Sequence, residues 1–270
     1  MDDIFAFHKI KKRLTEFFLN KGFIEIPAQS RISILAACED PSTVTSYCVG
    51  GNIWPLPQTG QMWLEHELLK NPGLPGVFCV TTSYRDEPNP IPGRHDRVFP
   101  MFEFEAKGGF EDLKELEKEL VRFLGFEAGI EVDYEEVCKN HDTEILEAEH
   151  EELLQRKHGS VVFLQKFPQR TSPFWNMKHF ENGIFNKVDV LLCGMETIGS
   201  AERSCNVEEM KENFLKISNG GYAQLLFDKF GKERVMKELE VYLSLEMFPR
   251  FGGGIGVTRL ARAMKQEGLL

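Results

Sequence analysis

The sequence predicts an α+β fold, an antiparallel sheet flanked by helices, and three observations carry that reading. Apolar runs of strand length at 76–85, 97–106, 161–167 and 186–194, with another opening at 250, outnumber the strand–helix–strand alternations a parallel sheet would need. These runs fall in hairpin-like pairs. Charged segments of period 3.6 lie outside them, at 5–22, 111–125, 133–158, 206–218 and 232–247.

Taken in order, FAFHKIKKRLTEFFLNKG (5–22) puts apolar residues on one helical face and bases on another, with Gly22 as its stop. FIEIP (23–27) reads as a short strand ended by Pro27. Residues 28–60, rich in Ser, Thr, Pro and Gly, read as loop with short strands, and MWLEHELLK (62–70) as a helix. GVFCVTTSYR (76–85) is a buried strand, and RVFPMFEFEA (97–106) returns with strong aromatic content. The loop EPNPIPGRHDR (87–97) between them holds three prolines and three arginine or histidine side chains, a length uncommon unless it has a task. RFGGGIGVTRLARAM (250–264) runs from a glycine-rich strand into a final helix.

The chain has 270 residues, with 32 Lys+Arg against 42 Asp+Glu and a net charge of −10. No repeat or linker divides it, so residues 1–270 are expected to form one domain. A hydrophobic fraction of 42% excludes collagen-like and low-complexity chains, and no run of eighteen apolar residues offers a membrane span. The first residues place acids before bases, the wrong order for a secretory signal. Six cysteines without CxxC spacing read as reduced thiols and offer no zinc site, so a cytoplasmic location is expected. An acidic chain is a poor general binder of nucleic-acid backbones, although a local basic patch suffices for one ATP.

Four segments carry chemistry. Arg85 ends a strand and suits a phosphate oxygen through its forked donors; Glu87, two residues on, could accept from an adenine amino group, and Phe99 could stack on the base. Gly252, Gly253, Gly254 and Gly256 mark a strand that another group approaches closely, with Arg259 following; no GK[ST] makes this a P-loop. Asp189 and Glu196 flank a buried strand, with Arg203 seven residues on, and two such acids suit Mg²⁺ shared with nucleotide phosphates. Gln61 and Glu65 share one face at the start of a helix. Singly, each has a bland reading: a surface ion pair, a weak strand, strand-end acids, an ordinary amphipathic helix.

Together and in this order they resemble the catalytic domain of class II aminoacyl-tRNA synthetases, in the aspartyl/asparaginyl branch. FIEIP is similar to the first motif, SYRDE with RHDRVFPMFEFE to the second, and GGGIGVTRL to the third; DVLLCGMETIGSAER and PQTGQMWLE match two further segments, over nearly all of residues 5–265. The resemblance implies that Arg85 binds the α-phosphate of ATP, Glu87 and Phe99 the adenine, and Arg94, His95 and Arg97 the outer phosphates. Arg259, beside Gly256, would hold the γ-phosphate, and Asp189 with Glu196 would hold Mg²⁺. Glu39, Gln61 and Glu103 match positions for a substrate α-ammonium, Arg203 one for its side chain, and Thr59 stands where serine is common. The implied product is an acyl-adenylate, and the implied assembly a homodimer through 5–27, with Phe5, Phe17 and Phe18 on its face.

The chain also departs from the branch. The N-terminal anticodon-binding barrel is not present in these 270 residues, which makes tRNA an unexpected partner. Leu64 replaces the lysine of aspartyl enzymes, Glu65 matches the asparaginyl ones, and Val98 replaces an acid. A catalytic domain of this kind is similar to ammonia-dependent asparagine synthetases. On that reading aspartate binds reversed, with its α-carboxylate on Arg203, its α-ammonium on Glu65, and ammonia beside Glu39, Gln61 and Glu103. The alternatives are a paralogue that passes an activated amino acid to tRNA, protein or a small acceptor, and a non-catalytic module.

Overall fold

The computed structural model describes residues 3–28, 33–37 and 41–270. Ten strands and nine α-helices are described. Eight strands form one sheet in the order β1 (Ile24–Glu25), β4 (Gly76–Tyr84), β5 (Val98–Lys107), β10 (Arg250–Gly256), β9 (Glu196–Glu202), β8 (Ile184–Leu192), β7 (Val161–Pro168), β6 (Ile130–Asp133). The interior pairs are antiparallel; the two outermost pairs, β1 with β4 and β6 with β7, are parallel. The remaining two, β2 (Ser46–Val49) and β3 (Asn52–Pro55), form a separate hairpin, the short strands expected within 28–60.

Alternation along the strands divides the sheet into two faces. Phe102 and Phe104 of β5, Val188 and Val190 of β8, Ile198 of β9 and Phe251 and Ile255 of β10 point to one side. Three helices cover them: α1 (Ile4–Asn20), α3 (Phe110–Phe123) and α9 (Val257–Gln266). Phe18 is fully buried there, its ring 5.2 Å from Phe102 and 5.1 Å from Phe104. The opposite face carries α2 (Gln61–Lys70) and a helical layer of α6 (Val207–Lys216), α7 (Gly221–Phe230) and α8 (Lys232–Leu243), packed around Trp175. No described helix is long and apolar enough to cross a membrane.

Four details differ from the sequence reading. The period-3.6 segment at 133–158 is two helices, α4 (Tyr134–His141) and α5 (Ala148–His158), preceded by β6; Asp142 turns left-handed at φ 50° and ends the first. Strand β9 was hidden because Gly199, Ser200 and Ala201 give it little apolar signal. Helix α7 follows a break in which Ser218 and Asn219 are left-handed, where the period lapses. Phe17 and Phe18 serve their own domain's core, so only Phe5, 75% exposed, is left of the aromatic face assigned to a partner.

Glu117 of α3 is fully buried against the sheet. Burial pushes its carboxyl up to about 8, against the opposite pull of the Ser200 hydroxyl. A carboxyl raised in the folded state is neutral in both states below about 4.5, so its penalty is absent there and grows until the folded group itself ionises near 8. Glu117→Gln should therefore gain stability relative to the parent between pH 5 and 8, by on the order of a few kcal/mol, then level off. Chemical denaturation across that range checks it; parallel pH profiles of the two proteins would contradict it.

Candidate active site

The site is built on the face opposite the aromatic core, where cross-strand pairs line up in two rows. Asp189, Gly199, Gly254 and Glu103 are successive partners across β8, β9, β10 and β5. Lys187, Ala201, Gly252 and Glu105 form the next row. Directly paired residues share a face, so each row is bare in its middle and charged at its ends. The bare middle is the floor of a cleft.

Side chains from the loop after β4 and from α9 close the cleft above. Arg85 lies over the ring of Phe99, its guanidinium carbon 5.4 Å from the centroid. Arg259 of α9 donates to the backbone carbonyls of Glu196 (2.8 Å) and Arg94 (3.4 Å), and its Nη1 is 3.7 Å from Glu196 Oε2. Burial alone would raise the Glu196 carboxyl, but Lys187, Arg259, Arg85 and Arg94 together hold it below the usual range. Burial pushes Asp189 up to about 7, Lys187 opposing and Glu196 reinforcing the shift.

Beside the floor, on the same face of the sheet, lies a buried polar constellation. Arg203 donates to Glu105 Oε1 from Nη2 (2.5 Å) and Nε (3.1 Å), and to Gln61 Oε1 at 2.7 Å. Arg250 pairs with Glu65 Oε2 at 2.9 Å and donates to the Tyr242 hydroxyl, which itself donates to Glu65. Asn176 donates to the other Glu65 oxygen at 2.5 Å. Glu103 accepts from the hydroxyls of Thr59 and Thr81 and from the Gly60 backbone N–H, which anchors the start of α2. Burial raises the Glu105 carboxyl, and the Arg203 guanidinium bonded to it pulls the other way.

Of the residues predicted for the site, Gln61, Arg85, Glu87, Arg94, His95, Phe99, Glu196, Gly256 and Arg259 line the cleft together. Asp189 is buried at the floor beside Gly199. Thr59, Glu65, Glu103 and Arg203 are buried beside the floor and do not line the cleft. Arg97 points away, exposed, with its Nε on the Glu87 carbonyl and 4.0 Å from Asp86. Glu39 lies outside the described residues.

Two residues that matter here escaped the sequence reading. Glu151 of α5 accepts from Arg94 on Oε1 (2.7 Å) and from the Glu196 backbone N–H on Oε2 (3.0 Å), so one carboxylate ties the loop to the acidic pair. Lys187 donates to Asp189 Oδ2 at 2.6 Å. The period-2 spacing of Lys187 and Asp189 signalled the second contact; nothing local signalled the first.

A large antiparallel sheet with flanking helices, a loop arginine over an aromatic ring and a glycine-rich strand leading to a second arginine define a class II synthetase fold. Residues 2–268 match the family described as tRNA synthetases class II (D, K and N), and the chain belongs to it. Among solved structures it is similar to asparaginyl-tRNA synthetase from Pyrococcus horikoshii complexed with asparaginyl-adenylate, at TM-score 0.77 and 20% identity, covering 97% of this chain and 65% of that one. It is similar to asparaginyl-tRNA synthetase from Entamoeba histolytica, at TM-score 0.76 and 19% identity over 96% of this chain and 63% of that one. The aspartyl enzyme of the same organism gives TM-score 0.69 and 18% identity over 96% and 55%. The chain thus spans just under two thirds of the asparaginyl proteins' length.

Because Glu151 holds both the loop and the strand end, Glu151→Ala should loosen Arg94 without touching the floor. We expect ATP affinity to fall roughly tenfold, the scale of one partly buried charged contact, while Glu151→Gln, which keeps an oxygen for the Glu196 N–H, falls less. Calorimetric titration with ATP checks this ordering; equal loss in both variants would contradict it.

Proposed function

We propose that the protein activates an amino acid with ATP, forming an acyl-adenylate and pyrophosphate. The observation that carries this is the convergence of Arg85, Arg259 and Glu196 beside the Phe99 ring over a bare glycine floor. Phe99 gives a nucleobase an aromatic face, and Glu87 an acceptor for its amino group. Arg85 and Arg259 are placed to hold phosphate oxygens as the substrate carboxylate attacks the α-phosphorus and pyrophosphate departs in line. No protein nucleophile is needed.

The acid pair fits Mg²⁺ in part. Asp189 Oδ1 is buried with no hydrogen-bond partner among the described residues, and a Cβ at Gly199 would lie 3.0 Å from Glu196 Oε1 and 3.6 Å from Asp189 Oδ1. Two hard oxygens thus open onto one space, and no described cluster of three or more acid, His or Cys side chains competes for a metal. Bound there, Mg²⁺ would supply charge neutralisation to the phosphates.

Asparagine synthesis from reversed aspartate needs Glu65 to take an ammonium. Glu65 is fully buried and committed to Arg250, Tyr242 and Asn176, and turning it outward would strand a buried guanidinium. That commitment favours an amino acid bound in the ordinary sense, its α-carboxylate toward the phosphate and an acceptor other than ammonia. The reading of aspartate plus ammonia remains the second to test.

Pyrophosphate exchange should depend on an amino acid, with aspartate and asparagine tested first, and Arg85→Ala and Arg259→Ala should each lower it about a hundredfold, the cost of a preorganised charged donor of roughly 3 kcal/mol. Near-full exchange in both variants would refute the assignment. AMP release with ammonium, hydroxylamine or tRNA then separates the acceptors; stimulation by ammonium alone would reverse the preference stated above.

A further inference from the structure

We infer that Lys187 is a resident cation of the acidic pair, so that Asp189 and Glu196 take a divalent cation only together with a nucleotide. The inference rests on the cleft being the nucleotide site proposed above, and it concerns what the pair does before nucleotide arrives.

Lys187 precedes Asp189 by two residues on β8 and therefore shares its face. Its ammonium donates to Asp189 Oδ2 at 2.6 Å and lies 3.7 Å from the centroid of the Phe167 ring on the neighbouring strand. The aromatic face and the carboxylate fix it from two sides, and it is also the strongest charge acting on Glu196. A flexible lysine is in this way held as a point charge at the mouth of the acid pair.

The charges that face the pair can be enumerated. Arg259 lies 3.7 Å from Glu196, and Arg85 and Arg94 act on it from the loop; among the described residues the further acids are Glu151, bonded to Arg94, and the buried Glu117, whose carboxyl burial and Asp189 both push up to about 8. Two carboxylates therefore meet one ammonium and several guanidinium groups. The oxygens left facing Gly199, Asp189 Oδ1 and Glu196 Oε1, offer a divalent ion two ligands and no net negative charge. Mg²⁺ sheds water reluctantly and needs strong anionic ligands to be held. The phosphates of a nucleotide supply both the ligands and the missing charge, while Lys187 continues to neutralise the outer oxygen of Asp189.

Mn²⁺, followed by electron paramagnetic resonance without nucleotide, reads this directly. The parent should bind it weakly, and Lys187→Met, which keeps an apolar contact on Phe167, should bind it roughly tenfold or more tightly, since it removes one unit charge beside the metal position. Lys187→Arg should behave as the parent. Adding Gly199→Ala to Lys187→Met should abolish the gain, because the new methyl occupies the space between the two oxygens. If Lys187→Met fails to fold, Lys187→Gln carries the same expectation. Equal Mn²⁺ affinity in the parent and the neutral variants, or tight binding by the parent, overturns the inference. Absence of ATP binding would overturn the functional proposal instead, and leaves the nucleotide-free comparison readable.

Discussion

The Gln61 end of the cleft depends on Gly252 having no side chain. A Cβ there would lie 2.0 Å from the Glu105 carboxyl carbon, so the carboxylate of Glu105 occupies the volume that any other residue at 252 would fill. From that position Glu105 holds Arg203, and Arg203 in turn holds the Gln61 side chain. Gln61 then lies against Gly254, where a Cβ would come within 3.1 Å of its amide nitrogen. The glycines of β10 are therefore a packing requirement of a buried ion pair at one position and of the cleft floor at the next.

The same arrangement explains how a chain of net charge −10 could present the phosphate site proposed for its cleft. Its acids near the cleft are neutralised in place: Glu105 by Arg203, Glu65 by Arg250, Asp189 by Lys187, Glu151 by Arg94. Arg85, over the Phe99 ring, and Arg259, beside Glu196, line the cleft where phosphate is proposed to lie. Net charge governs encounter at distances beyond the Debye length of about 8 Å; contact energies are set by the groups within it. The acidic surface and the basic cleft belong to different length scales.

The sheet and its cleft were legible in the sequence wherever chemistry and local pattern coincide. Arg85, Phe99 and Arg259 sit at strand ends or helix starts next to strong apolar runs, and the sequence placed them in one site. Depth was less legible. Glu65, Glu103 and Arg203 are polar residues at positions that a motif assigns to substrate, yet pairing lets them be buried beside the floor. Their partners Arg250, Thr81 and Glu105 come from other strands, and no local pattern in one segment reveals them. Glu151 was hidden for the same reason: its partner Arg94 is 57 positions away. Strand β9 was missed because the bare floor is made of Gly199 and Ala201, residues that carry no strand signal.

This pairing also constrains how the pocket can change. Removing one member of a buried ion pair costs about 3–5 kcal/mol, because the other is left charged without a partner, whereas exchanging both members for an apolar pair of similar volume is often nearly neutral. Arg203 and Glu105, both almost wholly excluded from water, form such a unit, and Arg250 with Glu65 forms a second. The two units touch: Arg203 Nε lies 3.6 Å from Glu65 Oε1. A single substitution at Glu65 would thus unbalance both, and its effect on any bound amino acid would be dominated by the displaced arginines. Any substrate preference of the proposed pocket would therefore be a property of the pairs, drawn from α2, β5, β10 and the residue following β9, rather than of one residue facing the ligand.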